Sequence, residues 1–255
     1  KRNPFFLWLH YMDIHEPYMP EKQYLNSTAP GLSISDDEMY ELFEDVILKR
    51  DLSEPAKIEV LKKLYDAHVL EVDGYVEAFF KTLEDLNILN DTIVIFTSDH
   101  GDEFGEHGGL SHDDKLYSEL IDVPLIIYNS GNSGLSNDLT SSIDISPTIL
   151  HLFGLEPEEG FQGTSLLPTD DYKRIGAFGE AIDQKSKKGG DIEKDVYFYR
   201  EHDLKIIYRA NLEQWEMFDL EEDPGELNNI ASVSSKFEEL KKKLRNEFAG
   251  LSLVR

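Results

Sequence analysis

The chain has 255 residues, of which 51 are acidic and 25 are basic, and its formal charge of -26 argues against nucleic acid or an anionic membrane as its main partner. Its 40% hydrophobic and 11% aromatic content is typical of a folded globular protein and not of a disordered chain. The absence of cysteine excludes disulfides, thiolate metal sites and cysteine catalysis within this chain.

The first elements predicted along the chain are a strand and two helices. Residues 4–10, PFFLWLH, are apolar almost throughout, as in a strand buried on both faces of a largely parallel sheet. Asp36 to Lys49 predicts a short amphipathic helix, and a longer helix is predicted to begin at Ser53, with Pro55 in its first turn. Apolar residues recur along the longer helix at three- and four-residue steps and predict a core-facing stripe of Leu61, Tyr65, Val69, Val72, Val76, Phe79, Leu83 and Leu86.

Two further apolar runs predict buried strands, at residues 92–97 and 123–128. Strands that alternate with helices along a chain indicate an α/β architecture. Functional residues of such sheets gather at the carboxyl ends of the strands, which is where His10, Asp99 and His100 fall in this interpretation.

The pattern changes to short strand-like runs from about Gly176 onward. These runs predict a small antiparallel sheet, followed by an amphipathic helix at about Ser234–Phe248. Asp183–Asp195 is predicted to be a surface loop. We therefore expect a main α/β domain over residues 1–168 and a small α+β subdomain over residues 169–255.

The segment SDHGDEFGEHGGLSHDD, residues 98–114, carries the densest set of chemically active side chains. Asp99 offers a hard oxygen ligand and His100 a nitrogen ligand, a pair that suits a divalent cation if further carboxylates arrive from elsewhere. Glycines at four positions let the backbone turn tightly and approach a ligand closely. A polar glycine-rich turn without chemistry is the alternative interpretation. Loop bracing is an alternative to chemistry for Glu106 and His107 in particular.

A second cluster, LHYMDIHEPYMP, places His10, Asp13 and His15 just beyond the first predicted strand. His15 is suited to donate a hydrogen bond to an anionic oxygen or to transfer a proton near neutral pH. The order of residues is not HEXXH, and Pro17 and Pro20 oppose a helix, so a zinc protease is excluded. Structural roles remain the alternative for both histidines.

These segments together resemble the carboxyl-terminal portion of the sulfatase family, within the alkaline phosphatase superfamily. The resemblance is carried, in order along the chain, by FFLWLHYMDIHEPY, TIVIFTSDHGDEFGEHG, KLYSELIDVPLII, SSIDISPTILHLFGL, FQGTSLLP and WEMFDLEEDPGELNNIA. It implies part of an alkaline-phosphatase-like α/β/α sandwich with a small carboxyl-terminal antiparallel sheet and helix. It also implies hydrolysis of sulfate esters by the full-length protein.

The resemblance further implies roles for individual residues. Asp99 and His100 match metal ligands, usually for calcium, and His15 matches a histidine that contacts the sulfate group. His112 matches a residue near the leaving-group oxygen, where a positioned acid supplies a proton to the departing alcohol, which would otherwise leave as an alkoxide. Lys115 is a second candidate for that acid. The residues that match structural positions are Asp144 and Asp219.

Relatives of this kind carry a formylglycine nucleophile, made from Cys or Ser in a C/S-x-P-x-R motif, and two further metal aspartates. The only superficial match is Ser53-Glu54-Pro55-Ala56-Lys57, which has lysine in the arginine position and follows His15 instead of preceding it. We interpret it as a helix start. Because Lys1 stands only a few residues before an apolar run, we expect the natural amino terminus and the half with the nucleophile to lie upstream. The chain alone is therefore expected to be inactive.

Two other functions stay open at this point. One is phosphatase, phosphonate hydrolase or phosphomutase chemistry, because the superfamily handles metal-held tetrahedral anions similarly. The other is a noncatalytic binding domain that retains the fold. No stretch of the sequence approaches the roughly 18 apolar residues of a membrane span, so we expect a soluble chain whose compartment stays unidentified.

Overall fold

The computed structural model describes residues 3–112, 115–131, 133–167, 172–182 and 195–248. These residues fall into two compact units. The first contains the residues up to Thr92 together with Asp102–Ser111, and the second contains Ile93–Gly101 together with the residues from His112 onward. The predicted surface loop up to residue 194 and the predicted domain boundary between residues 168 and 169 lie outside the described residues.

The first unit is mainly helical, with α1 at Lys22–Thr28, α2 at Asp36–Leu42 and α3 at Pro55–Asp85. Helix α2 begins where it does because Ser35 and Glu38 form a reciprocal capping box. It continues into a π-helical turn at Phe43–Leu48, so the predicted helix from Asp36 to Lys49 is confirmed in position.

Helix α3 begins two residues later than predicted, because Glu54 and not Ser53 is its N-cap and Pro55 is its first residue. Of the predicted stripe, Leu61, Val72 and Leu83 are buried, whereas Val69 is 43% exposed. The buried face instead includes a group of neighbouring residues, namely Leu64, Ala67, His68 and Glu71. The apolar pattern missed the two polar members because their burial depends on hydrogen bonds to a distant loop.

A short hairpin completes the first unit. Strand β2, Glu103–Phe104, pairs antiparallel with β3, Leu110–Ser111. The Phe104 ring packs among the rings of Tyr18 and Tyr65, with centroid distances of 5.8 and 5.3 Å. This aromatic contact joins the hairpin to α3 and to the loop before α1.

The prediction of a buried strand at residues 4–10 is wrong for the structure as described. These residues form no strand, and the apolar side chains are exposed, Trp8 by 74%. A strand is held by hydrogen bonds to a neighbouring strand. No strand in the described parts of the chain pairs with this segment.

The second unit begins with a two-stranded antiparallel pair, β1 at Val94–Thr97 and β4 at Leu125–Tyr128. Both strands were predicted, but they pair antiparallel instead of parallel, and no residue of either strand is fully buried. Partly buried and exposed residues alternate along β4, where Ile126 is 59% exposed. Alternation of this kind is typical of a strand with only one covered face. The helices nearest to it in sequence are α4, Ser118–Ile121, and α5, Ile145–Leu152.

The predicted carboxyl-terminal sheet and helix are confirmed. Four antiparallel strands pair in sequence order: β5 at Ala177–Ala181, β6 at Val196–Glu201, β7 at Leu204–Arg209 and β8 at Gln214–Asp219. Helix α6, Phe237–Glu247, buries Leu240 and Leu244 in one cluster with Tyr197, Ile206 and Met217 of the sheet. Within the described parts of the chain, no helix combines the length and the apolar character that a membrane span needs.

Candidate functional site

Strand β1 leads directly to Asp99 and His100, the two residues predicted to bind a metal. The Oδ1 atom of Asp99 accepts a hydrogen bond from the backbone N–H of His100 at 3.1 Å. Its Oδ2 atom lies 3.8 Å from Nε2 of His100. The Asp99 side chain is 70% exposed, so its carboxylate is accessible from solvent.

The tautomer of His100 follows from its contact with the Gly101 carbonyl oxygen, which lies 2.9 Å from Nδ1. A carbonyl oxygen only accepts, so Nδ1 carries the proton and the neutral ring presents a lone pair at Nε2. Calcium–oxygen bonds of about 2.3–2.6 Å let two ligands of one ion lie roughly 3–5 Å apart. The Nε2 and Oδ2 atoms therefore fit a shared divalent cation, although two ligands fill only part of its coordination shell.

His112 lies beside His100. The two imidazole centroids are 4.3 Å apart, with an angle of 31° between the ring planes. The second unit thus brings together Asp99, His100 and His112, three of the four predicted site residues. This arrangement combines metal-type ligands with a group able to transfer a proton.

The backbone at Gly101 fixes the direction of the His100 ring. The Gly101 N–H donates to the Leu120 carbonyl oxygen of α4 at 2.9 Å. A Cβ atom at position 101 would lie 2.1 Å from the Glu119 carbonyl oxygen, so only glycine permits this approach. The Ser98 hydroxyl donates to the His100 carbonyl at 2.7 Å and closes the turn. Helix α4 was not predicted to have this role, because nothing in its sequence points to a backbone contact.

His15 lies in the first unit, with a side chain that is 41% exposed. Its Nδ1 atom is 2.8 Å from the Glu16 carbonyl oxygen and 3.4 Å from Oε2 of Glu16. Because Nδ1 already donates to the carbonyl, a second hydrogen bond from Nε2 requires the doubly protonated ring. The Glu16 carboxylate is a counter-charge for that cation.

Two side-chain contacts hold the His15 loop against the hairpin of the same unit. The Ser111 hydroxyl donates to Oε1 of Glu16 at 2.9 Å, and the Tyr18 hydroxyl donates to Oδ2 of Asp102 at 2.7 Å. Burial, reinforced by Asp102, raises the pKa of Tyr18 far above its usual value, so Tyr18 stays a donor. Residues 95 positions apart carry no pairing signal in one sequence, and the Glu16–Ser111 contact was missed for that reason.

Other carboxylates of the glycine-rich segment brace its backbone. Glu103 is fully buried, and its Oε1 accepts from the N–H groups of His107 and Gly109 at 2.8 and 2.7 Å. Glu106 accepts from the Phe104 N–H at 2.5 Å and lies 3.1 Å from the Lys62 ammonium. The structure therefore supports loop bracing for Glu106. His10, the other histidine of the first cluster, is exposed.

We expect the first unit to lose stability in mild acid because of His68. This side chain is 7% exposed, and burial lowers its pKa, although a hydrogen bond to the Met19 backbone opposes that shift. The unfolded chain then binds the proton more readily than the folded chain. The free energy of unfolding should fall as the pH drops below about 6.5, by at most about 1.4 kcal/mol per pH unit for one group.

Urea unfolding at pH 7.5 and pH 5.5 measures this effect. A His68→Gln variant has no titrating group at the position, so its loss of stability on acidification should be smaller than that of the unaltered chain. Equal losses in the two proteins would contradict the assignment to His68.

The fold and the geometry define an α/β protein in which a carboxylate–imidazole pair, Asp99 and His100, follows strand β1. The sulfatase family model matches residues 1–155. A second model, described as the carboxyl-terminal part of N-sulphoglucosamine sulphohydrolase, matches residues 105–253. The chain belongs to the sulfatase family, and the resemblance found in its sequence is confirmed.

Individual relatives agree with this assignment. The chain is 31% identical over 203 residues to an N-acetylglucosamine-6-O-sulfatase of Bacteroides thetaiotaomicron, covering 69% of this chain and 33% of the relative. It resembles a solved protein in complex with its substrate D-glucosamine-2-N,6-O-disulfate at 26% identity and a TM-score of 0.66, covering 93% of this chain and 54% of the other.

A phosphonate monoester hydrolase of Agrobacterium radiobacter is also similar. It shows 25% identity and a TM-score of 0.66, and the match covers 76% of this chain and 42% of the hydrolase. The expected fold class, an α/β protein of the alkaline phosphatase type with a small antiparallel sheet and helix, is confirmed by the solved relatives. The chain spans between about a third and a half of the length of these relatives.

Proposed function

We propose that the complete protein hydrolyses sulfate esters and that this chain supplies two metal ligands, an acid and an anion-binding group. The observation that carries the proposal is the gathering of Asp99, His100 and His112 in one unit, with the lone pair of His100 and the carboxylate of Asp99 3.8 Å apart. Family membership supports a sulfate ester as the substrate class.

The metal ligands are assigned to Asp99 and His100. When bound, a divalent cation, with calcium the best match, supplies positive charge for the sulfuryl oxygens and the nucleophile. Asp99 contributes a hard anionic oxygen, and the Gly101 carbonyl keeps the His100 ring in the ligating tautomer. The two residues hold and orient the ion, and the remaining ligands come from other parts of the protein.

His112 is assigned as the general acid. An alcohol leaving a sulfate ester carries developing negative charge on its oxygen, and protonation at that oxygen removes it. His112 donates the proton in this proposal, and Lys115 is the second candidate for the same step.

His15 is assigned to the sulfate group. As a doubly protonated ring it holds the Glu16 carbonyl through Nδ1 and donates through Nε2 to a sulfate oxygen. A locally positive group is needed because the formal charge of -26 repels an anionic substrate. We therefore expect substrate capture to depend on ionic strength.

The nucleophile is assigned to an amino-terminal half of the same protein, as a formylglycine accompanied by further metal aspartates. This chain has no C/S-x-P-x-R motif, and it covers about half or less of its relatives. In this proposal the chain is a half-site that is inactive alone. Its own organisation is proposed as a main part over residues 1–168 and a small subdomain over residues 169–255.

Hydrolysis of phosphate or phosphonate esters is the second candidate function. The similarity to the phosphonate monoester hydrolase favours it, because metal-held tetrahedral anions place the same demands on Asp99 and His100. A noncatalytic binding role is the third and requires a partner half without nucleophile or metal aspartates.

The test compares metal binding and turnover in the complete protein. Asp99→Ala should weaken calcium affinity and lower the rate on an aryl sulfate by at least about 10²-fold, because an ion that stabilises the transition state is lost. Asp85→Ala, an exposed carboxylate at the end of α3, is the matched control and should leave both unchanged.

Assays with aryl sulfate and aryl phosphonate decide between the two ester classes. A higher kcat/KM for the phosphonate would favour the second candidate. A calcium site of undiminished affinity in the Asp99→Ala variant would remove Asp99 from the ligand set.

A further inference from the structure

A buried ion pair in the second unit joins strand β7 of the carboxyl-terminal sheet to the segment that follows strand β8. Lys205 of β7 and Glu226 both have fully buried side chains, and the Lys205 ammonium lies 2.7 Å from Oε1 of Glu226. Removing two charges from water offsets most of their attraction, so such pairs are often no more stabilising than apolar residues of similar shape. A contribution to stability therefore does not explain why Lys205 and Glu226 are buried here as a pair.

The second oxygen of Glu226 holds the start of helix α4. Its Oε2 atom accepts from the Ser118 N–H at 2.5 Å, and the Lys205 ammonium lies 3.5 Å from the Ser118 hydroxyl. The first N–H groups of a helix have no partner within the helix, so an acceptor from a distant segment fixes where the helix begins. Glu226 has a φ of 53°, a left-handed conformation that is unfavourable for a non-glycine residue and persists where its surroundings require it.

Helix α4 in turn holds the backbone next to the metal-type ligands. The Leu120 carbonyl accepts from the Gly101 N–H, and the Glu119 carbonyl lies so close that no Cβ fits at position 101. The carbonyl of the same Gly101 residue fixes the His100 tautomer and ring direction. A displacement of α4 would therefore shift the group that aims Nε2 of His100.

We propose that Glu226, held in place by Lys205, is a positioning residue for His100. It anchors α4 through the Ser118 N–H, and α4 anchors Gly101. The consequence for metal binding rests on the proposed function, whereas the effect on the Gly101 backbone does not. In this proposal the carboxyl-terminal sheet helps to aim a metal ligand in addition to forming its own core.

A double variant separates positioning from stability. Lys205→Met combined with Glu226→Leu replaces the pair with apolar side chains of similar size, so the free energy of unfolding should stay close to that of the unaltered chain or rise. The acceptor for Ser118 is lost all the same. Glu226→Leu alone leaves a buried lysine without its counter-charge and is therefore a poorer test, because it reduces stability as well.

Amide hydrogen exchange in this chain, followed by NMR, gives the first measurement. In the double variant the Gly101 amide should exchange about 10-fold faster, since its acceptor on α4 is no longer held. Amides of the β1–β4 pair should be unaffected. Unchanged Gly101 exchange in a folded double variant would overturn the proposal.

Calcium affinity of the complete protein, measured by calorimetry, gives the second measurement. The double variant should bind calcium about 10-fold more weakly, the amount expected when the support of a metal ligand is lost. Met217→Ala is the control, because it removes a fully buried side chain from the cluster that the same sheet forms with α6 and therefore lowers stability. Its Gly101 exchange and calcium affinity should stay unchanged.

The two measurements distinguish a failure of the proposed function from a failure of the positioning role of Glu226. If the unaltered complete protein binds no calcium while the double variant still frees Gly101, the proposed function is wrong and the positioning of the backbone stands. If calcium binds tightly and equally in both proteins, Glu226 has no positioning role for His100.

Discussion

Replacing His112 by alanine in the complete protein is expected to slow the hydrolysis of alkyl sulfates about 10²-fold more than that of activated aryl sulfates. An alkyl alcohol is a poor leaving group, so its departure depends on a proton delivered in the transition state. An activated phenol leaves readily as its anion and gains little from an acid. The difference between the two substrate classes therefore reports proton donation, which a general loss of structure would not produce.

Two further variants make this measurement specific. His15→Ala should impair both substrate classes to a similar extent, because His15 is assigned to the sulfate group that they share. Lys115→Ala tests the second candidate for the acid. If Lys115→Ala gives the selective loss on alkyl sulfates and His112→Ala does not, the acid is Lys115. Equal losses on both classes in the His112 variant would remove its role as acid.

The sequence predicted those parts of the molecule that depend on local patterns. The short runs after Gly176 predicted the antiparallel sheet and the helix on it, because period-two and helical spacings are properties of single segments. Asp99 and His100 stand out in the sequence because an apolar strand-like run precedes them and few other segments carry ligands of both kinds. Their actual proximity to His112 also depends on how the intervening residues fold, and the spacing alone did not establish it.

The parts that were missed depend on contacts between distant segments. A strand at residues 4–10 requires a neighbouring strand, and the apolar sequence of this segment does not identify the strand with which it would pair. The exposure of one face of β4 depends in the same way on what covers the sheet. The links from Glu226 to Ser118 and from Glu16 to Ser111 span 108 and 95 positions, and no local periodicity marks either end of them.

Asp144, which the resemblance matches to a structural position, is a buried acceptor for hydrogen bonds from several distant residues. Its fully buried carboxylate accepts from the Ser141 and Thr164 N–H groups at 3.0 and 2.8 Å. It also accepts from the Tyr172 hydroxyl at 2.8 Å and from both Nε and Nη2 of Arg174. Burial, with Asp144 beside it, raises the pKa of Tyr172 to about 12, so this hydroxyl remains a donor at neutral pH.

Asp144→Ala should lower the free energy of unfolding of the chain by about 3–5 kcal/mol, which raises the unfolding equilibrium constant by at least about 10²-fold. The Arg174 guanidinium, which is only 10% exposed, then lacks its counter-charge. The Ser141 and Thr164 N–H groups also lose their acceptor. Urea unfolding at neutral pH measures the loss.

Asp219→Ala is the matched control, because Asp219 is partly exposed and its carboxylate accepts from the Glu221 N–H at 3.2 Å, a bond worth about 1 kcal/mol. Replacing Arg174 by methionine together with Asp144→Leu should recover part of the loss, since no buried charge then lacks a partner. A loss for Asp144→Ala as small as that for Asp219→Ala would mean that water reaches the Arg174 guanidinium, and the assignment of Asp144 as the buried anchor of this region would be wrong.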